Sequence, residues 1–347
     1  MAAVDEYLFD RAAKIAAEVD LPWAELDGKT VLVTGSTGLI GSQVVRTLLS
    51  RNDHVDAGIN AVLPVRNIKK AQALFGDRSD VSVLEWSLGD ELMGSERVDY
   101  VVHAACGTSS KSFLETPATT IMQIVHGGEA VLRYACSVDA KKVLFLSTME
   151  VYGEVEGVAT EDNLGKLDPM VVRNSYPEAK RLVECLCASY ATEHGVPSVV
   201  IRLAQTFGEG VHPDDMRVFA DFGRHAIDGK DIVLLSDGLK RNGYLSVDDS
   251  VRAILIALVN GQSGEAYNAV NEDAYCSIRE MAQLVLDQFG AEGTQVRREF
   301  DPEREATFRK ASDLMLDSSK LKALGWEPND SLSDMYRAMI DCWSVHD

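Results

Sequence analysis

The stretch from Lys29 to Leu49 narrows the possible folds more than any other. Lys29-Thr-Val-Leu-Val-Thr34 is a β-branched apolar run that reads as a buried parallel strand. Gly35-Ser-Thr-Gly38-Leu-Ile-Gly41 follows without a linker, and an apolar-periodic helix from Val44 to Leu49 comes next. Glycines at three-residue spacing allow a tight turn, close approach of a pyrophosphate, and close packing of helix on strand. The start of the helix adds unpaired N–H groups and the positive end of its dipole. Gly35, Thr37, Gly38, Leu39, Ile40 and Gly41 are therefore candidate phosphate contacts. A lone glycine repeat is weak evidence, but one between a strand and a helix at the head of an α/β pattern is strong.

That pattern continues. The second strand, Ala61 to Val65, ends in Arg66-Asn67, where an acid would bind the adenosine ribose of NAD and an Arg could pair with the 2′-phosphate of NADP. A solvated Arg at a strand end is the plain alternative. Strands follow at Val81–Glu85, Tyr100–Ala104, Lys142–Leu146 and Ser198–Leu203, with helices at Thr119–Cys136 and Tyr176–His194. This alternation predicts an α/β fold: a doubly wound, Rossmann-like parallel sheet with its ligand at the carboxyl ends of the strands. Past Leu203 the pattern loosens into a smaller mixed C-terminal lobe, with helices at Asp248–Val259, after Ser277-x-x-Glu280, and ending near Trp343. The expected division is an N-terminal helical extension over 1–28, a dinucleotide-binding domain over 29–203, and a mostly substrate-binding lobe over 204–347 that can interleave with it. In the extension, Tyr7, Leu8, Ala12, Ile15 and Val19 share helical spacing before the break at Leu21-Pro22.

Bulk properties exclude several classes. The 347-residue chain has a net charge of −20, the opposite of the basic footprint that nucleic acid requires. No apolar run reaches the roughly 18 residues of a membrane span, so a cytoplasmic protein without membrane or nucleic-acid partners is expected. Six scattered cysteines lack C-x-x-C spacing and read as reduced core thiols; seven histidines show no paired spacing, so no metal site is expected.

Tyr176-Pro-Glu-Ala-Lys180 places a phenol and an ammonium four positions apart, on one helical face and roughly 5–6 Å apart at Cβ. A cation there lowers the phenol pKa and makes it a better proton acceptor. Ser175 and Glu178 fit a capping box, although Pro177 disfavours helical backbone at Tyr176.

In this order the motifs resemble the extended short-chain dehydrogenase/reductase family of nucleotide-sugar epimerases, dehydratases and decarboxylases. The resemblance runs from about Thr30 to Trp326. It rests on the glycine turn, Val102-His-Ala-Ala105, Ser147-Thr-Met-Glu-Val-Tyr-Gly153, Tyr176 to Lys180, Arg241 with Gly243 to Asp248, and Leu324-Gly-Trp326. It implies that Tyr176 is the acid/base on a sugar C4 hydroxyl, that Lys180 holds the nicotinamide ribose, and that Thr148 bonds the same hydroxyl. It further implies Ser87, Leu88, Ala104 and Ala105 as cofactor contacts, Met149, Glu150, Gln205 and Arg241 as substrate contacts, and a homodimer built on the helices 119–136 and 176–194. Family dehydratases carry Asp-Glu where this chain has Met149-Glu150. UDP-glucuronate decarboxylases keep only the Glu and are similar at Glu178, Arg181, Thr206-Phe-Gly208, Asp215, Arg217-Val218 and Arg241. The chain departs from them at Gln205, Glu209-Gly210, Ser87 and Ile124, where an Asn, a Pro-Arg, an Asp and an Asn are usual.

The expected function is a redox-neutral enzyme that forms a 4-keto nucleotide sugar with NAD or NADP and resembles UDP-glucuronate decarboxylases. A 4-epimerase, an NADP-dependent reductase or dehydrogenase suggested by Arg66, and a non-catalytic dinucleotide sensor stand as alternatives.

Overall fold

The computed structural model describes residues 2–94, 97–107, 110–299 and 313–345. Helices α1 (Ala2–Ala16) and α2 (Trp23–Leu26) precede strand β1 (Thr30–Thr34), followed by α3 (Leu39–Val55), β2 (Asn60–Val65), α4 (Ile68–Phe75), β3 (Val81–Glu85) and β4 (Tyr100–His103). Next come α5 (Ser110–Glu115), α6 (Pro117–Ser137), β5 (Lys142–Thr148), β6 (Val158–Ala159), α7 (Ser175–Glu193), β7 (Ser198–Leu203) and β8 (Gln205–Phe207). The rest of the chain supplies α8 (Val218–Ile227), β9 (Ile232–Leu234), β10 (Arg241–Ser246), α9 (Val247–Asn260), β11 (Ala266–Ala269), β12 (Asn271–Ser277) and α10 (Ile278–Phe289). Short strands at Val296–Arg298 and Met315–Leu316 and helices at Ser319–Lys322 and Leu332–Ser344 complete the described elements.

Seven strands form one sheet in the order β11-β7-β5-β4-β1-β2-β3, with every pair parallel. From β1 the chain runs outward through β2 and β3, then returns to the other side of β1 for β4. The carboxyl ends of β1 and β4 are thus the switch point, where α/β sheets leave a crevice. The near-continuous apolar strands follow from burial on both faces. Val44, Leu48 and Ile254 pack with one face, while Val131, Ala135 and Val183 pack with the other. A third core forms around Phe207, Phe219, Tyr244 and Tyr336, in the chain beyond residue 203. β11, from the chain beyond residue 203, joins the main sheet beside β7. No helix among the described residues is long and apolar enough to cross a membrane.

Helix α1 does more than cover the surface. Ala12 and Ile15 are fully buried, whereas Val19 lies past the helix and is 89% exposed, which ends the apolar stripe earlier than its spacing predicts. Arg46 reaches Asp5 at 3.0 Å, and Arg11 Nη2 lies 2.6 Å from Asp248, 3.6 Å from Glu209 and 3.8 Å from Asp330. The acid at 209 thus meets a cation supplied by the N-terminal helix.

Candidate active site

The glycine turn is built as its spacing requires. Gly35 has φ +70°, and a Cβ there would lie 2.7 Å from Ala104 C and Ala105 N, so the turn rests directly on the backbone after β4. A Cβ on Gly41 would come 2.3 Å from Gly35 O, which keeps α3 tight against β1. Gly38 is the N-cap of α3 and brings no side chain to its free N–H groups, with Leu39 and Ile40 in the first turn. Ser36 is fully buried and its Oγ has no hydrogen-bond partner. A bare helix start, a cradle that a Cβ would fill, and an orphaned hydroxyl are what a dinucleotide pyrophosphate needs.

The floor of the turn is one hydrogen-bonded chain. Ala105 N donates to Thr34 Oγ1 at 3.2 Å, and the same hydroxyl shares a hydrogen bond with His103 Nδ1, 2.7 Å away. The His103 ring stacks on Phe145, and Lys180 Nζ sits 4.5 Å from that same Phe145 ring while donating to Leu146 O at 2.7 Å. Burial, and then the Lys180 charge, push the His103 pKa down from 6.5 to about 3. His103 is therefore neutral in the fold, but in the unfolded chain it gains a proton below about 6.5. The unfolded state then binds more protons, and stability falls with acidification from about pH 6.5 towards pH 3. His103→Asn is expected to lose that dependence, by up to about 1.4 kcal/mol per pH unit, in denaturant titrations at pH 4 to 7. Parallel curves for variant and wild type would contradict it.

At the carboxyl end of β5, Thr148 caps a 3₁₀ turn, accepting from Glu150 N at 3.3 Å. Tyr176 lies in the first turn of α7, where Pro177 is tolerated because its missing N–H is unpaired there in any case. The expected capping box does not form. Asn174 precedes the helix without a side-chain cap, and Ser175 Oγ donates instead to Phe113 O at 3.4 Å. The Tyr176 ring stacks on Phe113 with centroids 4.4 Å apart, and Thr148 lies near enough to its hydroxyl to favour the ionised phenol. Lys180 Nζ is 5.9 Å from the Tyr176 ring centroid. Burial, followed by Cys106 and Glu150, raises the phenol pKa well above its usual range, against Thr148 and Arg173. The expected lowering is thus outweighed in the protein alone: the ring is almost fully enclosed, and the ammonium points at Leu146 O.

Two partnerships had no counterpart in the sequence patterns. Arg173 Nη1 lies 3.0 Å from Glu150 Oε2, and its guanidinium lies over Phe113 at 5.1 Å. Behind the site, Glu184 of α7 accepts from Ser147 Oγ and pairs with Arg202 at 2.8 Å, and Arg202 donates to Tyr152 at 3.0 Å. Both depend on contacts across 18 or more residues, although Glu184 does fall one turn after Lys180 on the same helix.

The remaining candidates are more scattered. Met149 is buried in the sheet core. Arg66 is exposed at the end of β2; beside it Asn67 caps α4, and Lys70 Nζ donates to Thr37 O at 2.9 Å. Ser87 N donates to Asp90, and Leu88 packs against Gly127 of α6. Gln205 opens β8 and is half-buried. Arg241 is held by Glu280 at 2.8 Å and stacks over Tyr275 at 5.0 Å. Among the described residues no group of His, Cys, Asp and Glu could hold a metal, and Cys136 and Cys185 are exposed thiols rather than core ones.

Comparison with known proteins agrees with this geometry. Residues 31–271 match the model of the NAD dependent epimerase/dehydratase family. The chain is 29% identical over 315 residues to a low-salt glycan biosynthesis protein of Haloferax volcanii, covering 90% of this chain and 97% of that one. It is 28% identical over 311 residues to UDP-glucuronic acid decarboxylase 1 of Xenopus tropicalis, covering 88% and 70%. The structure of dTDP-glucose 4,6-dehydratase DesIV from Streptomyces venezuelae, solved with NAD bound, superposes with a TM-score of 0.72 at 25% identity, covering 91% of this chain and 97% of that one. With its switch-point glycine turn and a match across most of its length, the chain belongs to the NAD dependent epimerase/dehydratase family.

Proposed function

We propose that the protein is a nucleotide-sugar-modifying enzyme that oxidises the sugar at C4, acts on a uronate, and returns a decarboxylated sugar without net redox change. The observation that carries this is the juxtaposition of Tyr176, Thr148 and Glu150 at the end of β5, with Lys180 on the same helix face and the glycine turn two strands away. Gly35, Thr37, Gly38, Leu39, Ile40 and Gly41 would hold the pyrophosphate, Ser87 and Leu88 the adenine side, Ala104 and Ala105 the face beyond β4, and Lys180 the nicotinamide ribose. When bound, the nicotinamide supplies the hydride acceptor and donor.

Tyr176 would act as the phenolate, its proton having left to solvent once the positive charge of the bound cofactor and of Lys180 offsets the burial of the ring, and in that form it takes the proton of the C4 hydroxyl, with Thr148 beside it. With C4 a ketone, the C5 carboxylate belongs to a β-keto acid. Its C–C bond breaks, carbon dioxide leaves, and the electron pair passes into the C4 enolate. A proton returns to C5, and Tyr176 gives its proton back to the C4 oxygen. Gln205 and Arg241 would contact the rest of the sugar nucleotide, and buried Met149 offers no proton for a dehydration. This reading is tested by incubation with UDP-glucuronate, with products followed by mass and NMR. Carbon dioxide and a UDP-pentose are expected; equilibration of UDP-glucose with UDP-galactose and no carbon dioxide would make it a 4-epimerase.

A net reductase is the second reading, favoured by Arg66, which stands exposed where a 2′-phosphate would lie. NAD retained through purification speaks for the redox-neutral enzyme, whereas an empty site preferring NADPH speaks for the reductase. The assembly would be a homodimer joined through α6 and α7, whose Met122 and Leu182 are each about half exposed. Leu182→Asp is expected to shift light-scattering mass from dimer to monomer; a wild-type monomer would refute this.

A further inference from the structure

Arg173 stands three residues before Tyr176, on the 3₁₀ turn Val172–Asn174 that leads into α7. Its pairing with Glu150 is loose. The 3.0 Å approach of Nη1 to Oε2 leaves both of those atoms buried without a hydrogen bond, and the one bond made, Nη2 to Oε1, is 3.3 Å long. A well-formed guanidinium–carboxylate fork makes two parallel bonds of roughly 2.7–2.9 Å. Buried polar atoms of native sites normally have partners, so an unsatisfied donor beside the phenol points to a ligand group that completes it. Phe113 fixes where that donor sits, because the same ring stacks on Tyr176 at 4.4 Å and carries the guanidinium at 5.1 Å.

Charge balance gives the same answer. A carboxylated sugar entering beside Glu150 alone would be repelled, and a cation is needed to admit it. Arg241 is engaged by Glu280 and by Tyr275 O, and position 209 is an acid. Arg173 is the cation in contact with Glu150.

Resting on the uronate reading above, we propose that Arg173 is the specificity-determining residue of the site: it receives the C5 carboxylate of a nucleotide-linked uronate, with Glu150 holding the guanidinium in place. A neutral hexose would leave Nη1 without a hydrogen-bond partner. The cleft would therefore select uronates over the corresponding neutral sugars.

The test is calorimetric binding of UDP-glucuronate, UDP-glucose and UDP to the purified protein with its cofactor, in wild type, Arg173→Gln, Arg173→Lys and Glu150→Gln/Arg173→Gln. Loss of a charged hydrogen-bond donor is expected to weaken UDP-glucuronate binding about 10- to 100-fold in Arg173→Gln. UDP-glucose and UDP should change less than about threefold, and Arg173→Lys should recover part of the loss. Unchanged UDP binding shows that the variant is folded. Equal weakening of both sugars, or undiminished UDP-glucuronate binding, overturns the proposal. So does wild-type affinity in the double variant, because Arg173 would then serve only to neutralise Glu150. Failure of the function itself is distinguishable: wild type that prefers UDP-glucuronate through Arg173 but releases no carbon dioxide keeps the carboxylate site and removes the decarboxylase.

Discussion

Tyr176→Phe is expected to lower turnover about 10²- to 10⁴-fold, the usual worth of a positioned acid/base. The ring stays stacked on Phe113, and only the hydroxyl beside Thr148 is removed. The loss should therefore fall on kcat, with KM and the thermal midpoint close to wild type. Burial keeps the phenol protonated well beyond neutrality in the protein alone, so the resting side chain is a neutral hydroxyl. Activity within about threefold of wild type would remove Tyr176 from the chemistry.

The second large effect lies where α1 meets the chain beyond residue 203. Arg11→Ala leaves Asp248, 2.6 Å from the lost guanidinium and only 5% exposed, without its partner. Breaking a buried pair from one side costs about 3–5 kcal/mol, and for a chain of this size the midpoint should fall on the order of 10 °C. Glu209→Gln separates charge from shape. Burial, and then the neighbouring Asp248, raise the Glu209 pKa well above the usual carboxylate range. The folded state therefore holds a proton that the unfolded chain releases above about pH 4.5, and this residue costs stability as pH rises. The glutamine should match or exceed wild-type stability at pH 8, with the gap closing towards pH 5. An Arg11→Ala midpoint within 2 °C of wild type would contradict the pairing.

How much of this could be read in the chain follows from the range of each interaction. The strands Val81–Glu85 and Ser198–Leu203 and the box formed by Ser277 and Glu280 were legible because local pattern alone specifies them. The glycine turn was legible because its backbone contacts tolerate no side chain. The box at Ser175 misled: the 3₁₀ turn before α7 leaves no extended N-cap residue for it to use. Arg173, Glu184 and Arg11 were invisible for another reason. Each is a charge that sequence pattern assigns to solvent, and each finds its partner only when distant segments meet. The phenol pKa failed likewise, since burial depends on Phe113 and Thr148 rather than on the helix spacing to Lys180.

The placement of α1 sets a schedule for synthesis. Its contacts with α3 become possible once residue 55 has emerged, so half of the helix can settle early. Asp248, Asp330 and Cys342, which face Arg11, Val4 and Leu8, come from the last third of the chain. At roughly 5–20 residues per second, α1 waits on the order of 15 to 60 seconds for these later partners. During that interval an apolar stripe and a solvated arginine lie open on α1. Residues from the far end of the chain are the ones that close it.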